Sequence, residues 1–260
     1  QKAIRTFESD IRPVDRYLME RFVKGGFSSQ GKSVIHNGIK TYVNPKIRGT
    51  DCTVNFRVMS IDIETNGRTG EIYCIACCGN SEIVFISGSE QSTYTNTNTH
   101  TYKFCANEYD VINHFIKHVK SEDPDVIIGW NIINFDLIQI KKRCEYYEIP
   151  FEISRDYGTT LFPRKEGSKQ FSIKIPGRVV LDVPVMLRMN QYSFTNYSLN
   201  YVASELLGKR KEIELTGEEK INEINRLFKN DKCSLAHYNL VDAKLTKEIF
   251  DRTNLLANAV

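Results

Sequence analysis

Two acidic side chains interrupt an apolar run in the segment RVMSIDIETNG, where Asp62 and Glu64 are separated by one residue. Residues i and i+2 of a β-strand point to the same side of the sheet, so these two carboxylates would project together. Neighbouring negative charges repel each other, and a hard divalent cation such as Mg²⁺ is the natural compensation. The pair therefore indicates a metal site. The alternative is a strand end where both acids face solvent beside the turn NGRTG.

A third acid, Asp136, follows the apolar run PDVIIGW and would open a helix in the segment NFDLIQI. In open α/β sheets, ligands tend to bind beyond the carboxyl ends of strands, so this carboxylate could join the same site. The alternative is an ordinary acid that caps the helix or stabilises its first turn.

A fourth acid, Asp242, lies four residues after Tyr238 in AHYNLVDAKLT, so the two side chains share one face of a predicted helix. The other faces of this helix carry apolar residues, namely Leu240, Val241, Leu245, Ile249 and Phe250. The alternative is a polar outer face without a chemical role.

Short β-type runs and helical periodicities must position these side chains. RVMSIDIE, EIYCIACCG and SEIVFIS are separated by turn signals and predict a three-stranded meander. A helix, a strand, a second helix and another strand follow in NEYDVINHFIKHVKSED, PDVIIGW, FDLIQIKKRCEYYEI and GRVVLDV. Three helical segments come last, in TNYSLNYVASELLG, GEEKINEINRLFK and SLAHYNLVDAKLTKEIFDRTN. This order predicts an α/β fold with a mixed five-stranded sheet flanked by helices.

Three segments lie outside this pattern. Residues 1–50 contain one helical stretch, RPVDRYLMERFVKGGF, and the turn-rich segment HNGIKTYVNPKIRG, which together predict a lead-in from another domain. The polar segment STYTNTNTHTY predicts a surface loop over residues 92–102. Alternation in QFSIKIPG predicts an inserted, protruding β-hairpin at about 154–178. This hairpin is basic and carries Arg155, Arg164, Lys165, Lys169, Lys174 and Arg178.

Composition sets outer limits on the function. The chain has 260 residues, 41% of them apolar, and a net charge of +3, which argues neither for nor against a nucleic-acid partner. No apolar run approaches ~18 residues, and no signal peptide is evident. The spacing of Cys74, Cys77 and Cys78 raises the alternative of a zinc site, but no second Cys or His pair has matching spacing. Buried strand cysteines in a reducing cytoplasm are the preferred interpretation.

Taken together and in order, the three motifs resemble those of a known family, although each motif alone is too short to indicate it. Asp62-Ile63-Glu64, then Asn131 followed after three residues by Phe135-Asp136, then Tyr238 four residues before Asp242, resembles the three exonuclease motifs of family B DNA polymerases. Their proofreading domains belong to the ribonuclease H-like DEDD exonucleases, and the tyrosine places this chain with the DEDDy type. The segments RPVDRYLMERF, DPDVIIGWN and YSLNYVASELLG also resemble bacterial members of the family.

The resemblance implies a ribonuclease H-like exonuclease domain at residues 51–260, preceded by part of a polymerase N-terminal domain at 1–50. The DxxSLYPS-type and YGDTDS-type motifs of the polymerase palm are missing from the sequence. We therefore expect a fragment of a DNA-directed DNA polymerase that degrades DNA and does not synthesise it. Its implied partners are a single-stranded or frayed DNA 3′ end and the remaining polymerase domains, in the cytoplasm of a bacterium at the nucleoid, with no membrane partner.

The family also implies the role of each motif residue. Two Mg²⁺ or Mn²⁺ ions would activate water and stabilise the leaving 3′-oxygen, releasing 5′-mononucleotides. Asp62 would bridge both ions, Glu64 and Asp242 would help to hold the ion on the water side, and Asp136 would reach the other ion through water. Tyr238 would orient the attacking water.

Contacts to DNA are predicted for residues around the second motif and in the hairpin. Phe135 would stack on or beside a terminal base, or else pack in the core. Asn131 would bind the DNA backbone or brace its loop. Asp182, in the strand GRVVLDV, is expected to contact the metal ligands without binding the metal itself, or to have a structural role only. The hairpin would help to separate strands or would be a solvated loop, and its predicted DNA-binding residues are Arg164, Lys165 and Lys169.

Three other functions remain open at this stage. A free-standing DEDD ribonuclease would share the same motifs. A nucleic-acid-binding module with an inactive site, or a piece that only buttresses a polymerase, would bind DNA without metal-dependent cleavage. The presence of all four acids and the tyrosine favours an active nuclease.

Overall fold

A computed structural model describes residues 7, 9–36, 39–52, 54–88, 96–97, 100–155, 158–163, 171–209 and 217–256. The chain divides into two compact units, Gln1–Asn55 and Phe56–Ala259. All of the acids and the tyrosine singled out above lie in the second unit.

In its described residues, the first unit combines one short helix with four strands. These elements are α1 (Pro13–Met19), β1 (Phe27–Gln30), β2 (Ser33–His36), β3 (Ile39–Tyr42) and β4 (Lys46–Gly49). Strand β1 pairs with β4 and β2 pairs with β3, both antiparallel. The prediction of turns for HNGIKTYVNPKIRG was therefore wrong over β3 and β4. Two-stranded ribbons are held by backbone hydrogen bonds and bury little, so their strands lack the apolar alternation on which the prediction relied.

The second unit is an α/β fold around one mixed sheet. Its elements are β5 (Val58–Thr65), β6 (Ile72–Cys78), β7 (Glu82–Ser87), β8 (Asn96–Thr97), β9 (His100–Cys105), α2 (Glu108–Glu122), β10 (Val126–Gly129), α3 (Asp136–Tyr146), β11 (Val179–Asp182), α4 (Val183–Met189), α5 (Leu199–Leu207), α6 (Gly217–Asn230) and α7 (Lys232–Arg252). The strand order is β11-β10-β5-β6-β7-β9-β8. Strands β5, β6 and β7 form the predicted antiparallel meander, and β10 lies parallel to β5 and β11.

The sheet is buried on both faces. Met59, Ile61 and Ile63 of β5 pack in one apolar cluster with residues of α2 and α3. On the opposite face, residues of β6 and β7 pack in a second cluster with α6 and α7. The alternation along β5 therefore directs Asp62 and Glu64 towards the face that α7 covers.

Over the residues that the structure describes, the sheet has seven strands where five were predicted. One additional strand, β9, begins at His100, inside the segment predicted to be a surface loop, and pairs in parallel with β7. Threonine and tyrosine in this segment have high β-propensity, which a judgement based on polarity overlooks. Short helix α4 was also not predicted. It starts directly after β11, with Pro184 in its first turn, and is too short to show a clear period.

The three cysteines of the CIACC run are core residues of the sheet, as preferred over a zinc site. Cys74, Cys77 and Cys78 all lie buried in β6, with Cys77 facing one apolar cluster and the other two facing the opposite one. Among the described residues, no group of potential metal ligands includes a cysteine. Within the same residues, no helix combines the length and apolar character needed to span a bilayer.

Candidate active site

Three carboxylates meet where β5 and α7 lie side by side. One ligand oxygen each from Asp62, Glu64 and Asp242 falls within 4.8 Å of the other two. Glu64 is 6% exposed and Asp242 is 3% exposed, whereas Asp62 is half-buried. This burial excludes the alternatives of two acids in solvent at a strand end and of a polar outer face on the last helix.

The donor set fits a hard divalent cation. Three carboxylates in a partly buried cluster repel one another unless positive charge lies close to them. Oxygen-only ligands of this kind suit Mg²⁺ or Mn²⁺ rather than a thiophilic metal.

Asp136 opens α3 at the same cleft but is turned towards the backbone of β5. Its Oδ1 accepts a hydrogen bond from the Ile63 N–H at 3.2 Å, and its side chain is only 2% exposed. Burial, together with the charges of Glu64 and Asp182, raises the pKa of Asp136 to about 8 despite the opposing effect of backbone hydrogen bonds. The carboxyl group therefore holds a proton at neutral pH in this arrangement and lies outside the cluster of three.

Tyr238 lies one helical turn before Asp242, with its side chain 3% exposed. Burial raises the pKa of the Tyr238 hydroxyl far above its usual value, and the charges of Asp242, Glu64 and Asp62 raise it further. The phenol consequently stays protonated at any physiological pH and can donate a hydrogen bond within the site.

Lys220 of α6 completes the electrostatics of the site and was not predicted. Its Nζ lies 3.7 Å from Glu64 Oε1 and 5.5 Å from the centre of the Tyr238 ring. Burial lowers the pKa of Lys220, but the charges of Glu64, Asp62 and Asp242 outweigh this effect and raise the pKa overall. The side chain is therefore an ammonium ion that partly balances the carboxylates.

A sequence signal for this lysine existed. Lys220 stands four residues before Ile224 and seven before Leu227, and both of these residues are buried. It therefore occupies the apolar stripe of α6, where a charged residue needs a partner. The helix itself is anchored by the stacking of Phe228 on Tyr73, whose ring centres are 3.7 Å apart.

We expect Lys220→Met to bind Mn²⁺ about tenfold more tightly than the parent protein, since the ammonium ion and the metal compete for the same carboxylates. Calorimetric titration with Mn²⁺ measures this affinity. Lys229→Met is the matched control, because Lys229 lies exposed on the same helix. Unchanged or weaker Mn²⁺ binding by Lys220→Met would show that the ammonium does not compete with the metal.

A cleft of about 500 Å³ opens beside the acids. The acids line part of it, and an apolar part of its lining, here called the apolar wall, consists of Trp130, Phe135, Leu199 and Ile221. Phe135 is 48% exposed, which excludes the alternative that it is an ordinary core residue. The cleft thus combines a carboxylate cluster with an apolar wall on which a planar ring can stack.

Asn131 and Asp182 occupy positions that support the loop and the helices. Asn131 has a positive φ of 64°, and its carbonyl oxygen accepts the Phe135 N–H at 3.1 Å, so its backbone shapes the turn that presents Phe135. Asp182 is the N-cap of α4 and accepts the Val185 N–H at 3.4 Å. Its influence on the site is electrostatic, through the pKa of Asp136.

The basic segment 154–178 is described only in part. Leu161 and Lys174 pair antiparallel, as a hairpin requires, while the predicted DNA-binding residues Arg164, Lys165 and Lys169 lie outside the described residues. Two of its arginines have a structural role. Arg155 Nε and Arg178 Nη1 donate to Asp123 Oδ1 at 2.6 and 2.8 Å, which ties both ends of the segment to the C-cap of α2.

Comparison with known proteins gives a consistent result. Residues 4–202 match the family model described as DNA polymerase family B, exonuclease domain. The chain is 36% identical over 258 residues to DNA polymerase II of Escherichia coli (strain K12), an alignment that covers 97% of this chain and 32% of that polymerase. The predicted resemblance to family B DNA polymerases, and to bacterial members of the family, is confirmed.

The chain is also similar to archaeal DNA polymerases, at lower identity and over fewer residues. The chain is 31% identical over 199 residues to a DNA polymerase of Thermococcus litoralis and 29% identical over 202 residues to that of Thermococcus hydrothermalis. Each alignment covers 74% of this chain and 11% of the archaeal protein. The chain thus spans a third or less of the curated relatives that it matches.

Proposed function

The chain belongs to the exonuclease domain of family B DNA polymerases, and from this membership we propose that it removes nucleotides from the 3′ end of DNA by metal-dependent hydrolysis. The observation that carries the proposal is the cluster of Asp62, Glu64 and Asp242 beside the protonated Tyr238. Residues 51–260 would form the ribonuclease H-like exonuclease domain, and residues 1–50 would be part of the N-terminal domain of a polymerase.

Asp62, Glu64 and Asp242 would hold the catalytic metal, Mg²⁺ or Mn²⁺. When bound, such an ion lowers the pKa of water and neutralises charge on a phosphodiester. A second ion would draw on Asp136, whose carboxyl group must first lose its proton. The proposal of two ions therefore requires Asp136 to change its protonation state.

Tyr238 would act as a hydrogen-bond donor at the reacting phosphate or at the attacking water. Its raised pKa makes it unsuitable as a general base, because the phenolate is not accessible near neutral pH. The protonated phenol instead donates a hydrogen bond and thereby orients an acceptor beside the carboxylates. The released product would be a 5′-mononucleotide.

The apolar wall of the cleft would receive the terminal base of a single-stranded or frayed 3′ end. Phe135 offers an exposed ring next to the acids, and base–aromatic stacking tolerates any sequence. As part of a polymerase, the domain would work with the other polymerase domains on a DNA primer, in the cytoplasm at the bacterial nucleoid. Asn131 would brace the loop that presents Phe135.

Phe135→Ala should weaken binding of single-stranded DNA by about tenfold, since one stacked base contributes ~1–3 kcal/mol. Fluorescence anisotropy with a labelled oligonucleotide in EDTA would measure binding without cleavage. Tyr146→Ala is the control, because Tyr146 is an exposed aromatic residue at the other end of α3. Equal affinities of the two variants would argue against stacking at Phe135.

The proposed activity is tested with 5′-labelled single-stranded DNA incubated with Mg²⁺, with Mn²⁺ and with EDTA. We expect stepwise shortening from the 3′ end in either metal and none in EDTA. An RNA strand of the same sequence should be a poorer substrate, and preferential RNA digestion would favour a DEDD ribonuclease. Salt-sensitive binding without cleavage would instead indicate a binding or buttressing module.

The hairpin segment is proposed to help separate the 3′ end from its template. Deletion of residues 158–175 should lower the rate on duplex DNA relative to the rate on single-stranded DNA by several-fold. The single-stranded rate serves as the internal control for folding, because the acids and the cleft residues lie outside the deleted segment. An unchanged ratio of the two rates would assign the segment to the fold alone.

A further inference from the structure

Asn239 is a fully buried polar residue at the centre of the site. It lies on α7 between Tyr238 and Asp242, and its side chain is 0% exposed. Its Nδ2 donates a hydrogen bond to Asp62 Oδ2 at 2.7 Å, which joins α7 to β5. An amide–carboxylate hydrogen bond of this length is a strong, charge-assisted contact.

The other half of the same amide is unsatisfied within the described part of the chain. Asn239 Oδ1 is buried there without a hydrogen-bond partner. A buried polar atom left unpaired is unfavourable, and leucine has nearly the same shape without this disadvantage. Packing alone therefore does not explain an asparagine at this position, whereas its donor to Asp62 does.

Orientation of the amide follows from charge. An ionised carboxylate can only accept hydrogen bonds, so Nδ2 rather than Oδ1 must face Asp62. The donor opposes rotation of the Asp62 carboxylate about its last bond and favours its charged form. Groups that hydrogen-bond to metal-ligating carboxylates fix the direction of the ligand and contribute to metal affinity.

We propose that Asn239 is a positioning residue that fixes the Asp62 carboxylate for metal binding, an inference that rests on the proposed function. Because Asn239 and Asp242 are carried by the same helix, α7 would deliver one metal ligand directly and orient a second across the gap to β5. The three-carboxylate cluster would then depend on α7 for two of its members.

The test compares the parent protein with Asn239→Leu, Asn239→Ser and the control Thr253→Val. Leucine conserves volume and removes the donor, while serine is too short to reach Asp62 but remains polar. Thr253 is the buried C-cap residue of α7, and its hydroxyl donates to backbone carbonyls in the last turn of that helix. It controls for the loss of a buried polar group in the same helix.

Two measurements are made on each folded variant. Calorimetry gives the Mn²⁺ dissociation constant without DNA, and the Mg²⁺ dependence of DNA shortening gives the half-saturating concentration and the maximal rate. We expect both Asn239 variants to raise the Mn²⁺ dissociation constant and the Mg²⁺ half-saturation by about tenfold or more. Excess Mg²⁺ should largely restore the maximal rate, and Thr253→Val should leave both metal parameters unchanged.

The possible failures are distinguishable. If the parent protein neither binds Mn²⁺ nor shortens DNA, the proposed function is wrong. If the parent is active and the folded Asn239 variants have unaltered metal parameters, the positioning role is overturned and the proposed function stands. If Asn239→Leu does not fold, Asn239→Ser decides. Failure of both to fold would make Asn239 a residue of the fold and also overturn the inference.

Discussion

Replacing Asp242 by alanine should lower the rate of 3′-end shortening by about a thousandfold or more, and replacing Asp62 should have a similar effect. The three clustered carboxylates share one task, and groups that act as a unit lose most of their effect when any member is removed. The rate is measured under single-turnover conditions with excess protein, so that DNA binding does not limit it.

Stability provides the complementary measurement for the same variants. Asp242 is buried with two like charges nearby, so its removal relieves repulsion in EDTA. We therefore expect thermal stability in EDTA to be maintained or raised while activity is lost. An inactive variant that is also strongly destabilised would show a folding defect instead.

The control for the Asp62 and Asp242 substitutions is Asp251→Ala, which lies on α7 like Asp242. Asp251 forms an ion pair with Lys247 at 2.7 Å, and its side chain is 55% exposed. Asp251→Ala should therefore change neither activity nor stability to a large extent. Retention of activity by Asp62→Ala or Asp242→Ala within a few-fold of the parent would remove these acids from the chemistry.

The parts of the site that the sequence predicts well are those set by simple periodicity. On β5, alternation separates Ile61 and Ile63 from Asp62 and Glu64, and the structure places the two pairs on opposite faces of the sheet. On α7, the spacing of four residues brings Tyr238 and Asp242 to one face. Both patterns are local, so they do not depend on how distant elements pack.

What periodicity did not predict depends on tertiary packing. Lys220 meets Glu64 only because α6 packs beside α7, and no local pattern reveals that neighbour. Strand β9 owes its place to pairing with the exposed edge of β7. In the sequence, nothing distinguishes Asn239 from other polar residues of a helix, because its hydrogen bond to Asp62 depends on the packing of α7 against β5.

The position of Asp136 is predictable from the sequence, but its protonation state is not. The motif places it at the start of a helix beside the other acids, and the structure does so too. Its protonation state, however, follows from burial and from the Ile63 amide, neither of which the sequence displays. The role of Asp136 as a metal ligand therefore stays a prediction and calls for a test of its own.

Asp136→Asn should make the protein more stable than the parent at pH 8 in EDTA, with a difference that disappears near pH 4. The native state keeps a proton on Asp136 up to about pH 8, whereas the unfolded chain releases it near pH 4. Between these values the native state binds more protons, so parent stability falls as pH rises through this window. Asparagine cannot ionise and still accepts the Ile63 hydrogen bond, so the variant avoids this loss, on the order of a few kcal/mol.

Chemical denaturation at several pH values between 4 and 9 measures the difference. Asp231→Asn is a control of opposite sign, because hydrogen bonds from Ser234 lower the pKa of Asp231. The stability from that carboxylate is present above its unfolded pKa and is lost as pH falls through its folded value. A pH-independent difference between parent and Asp136→Asn would contradict the raised pKa of Asp136.

Adding saturating Mg²⁺ turns the same experiment into a test of metal ligation. If Asp136 binds an ion as a carboxylate, Mg²⁺ should stabilise the parent more than Asp136→Asn, most strongly at and above pH 8, where the proton no longer competes with the metal. The cluster of Asp62, Glu64 and Asp242 is unchanged in the variant and gives both proteins the same remaining response. Equal stabilisation of the two proteins by Mg²⁺ would show that Asp136 is not a ligand, and the site would then be a centre of three carboxylates with a neutral acid beside it.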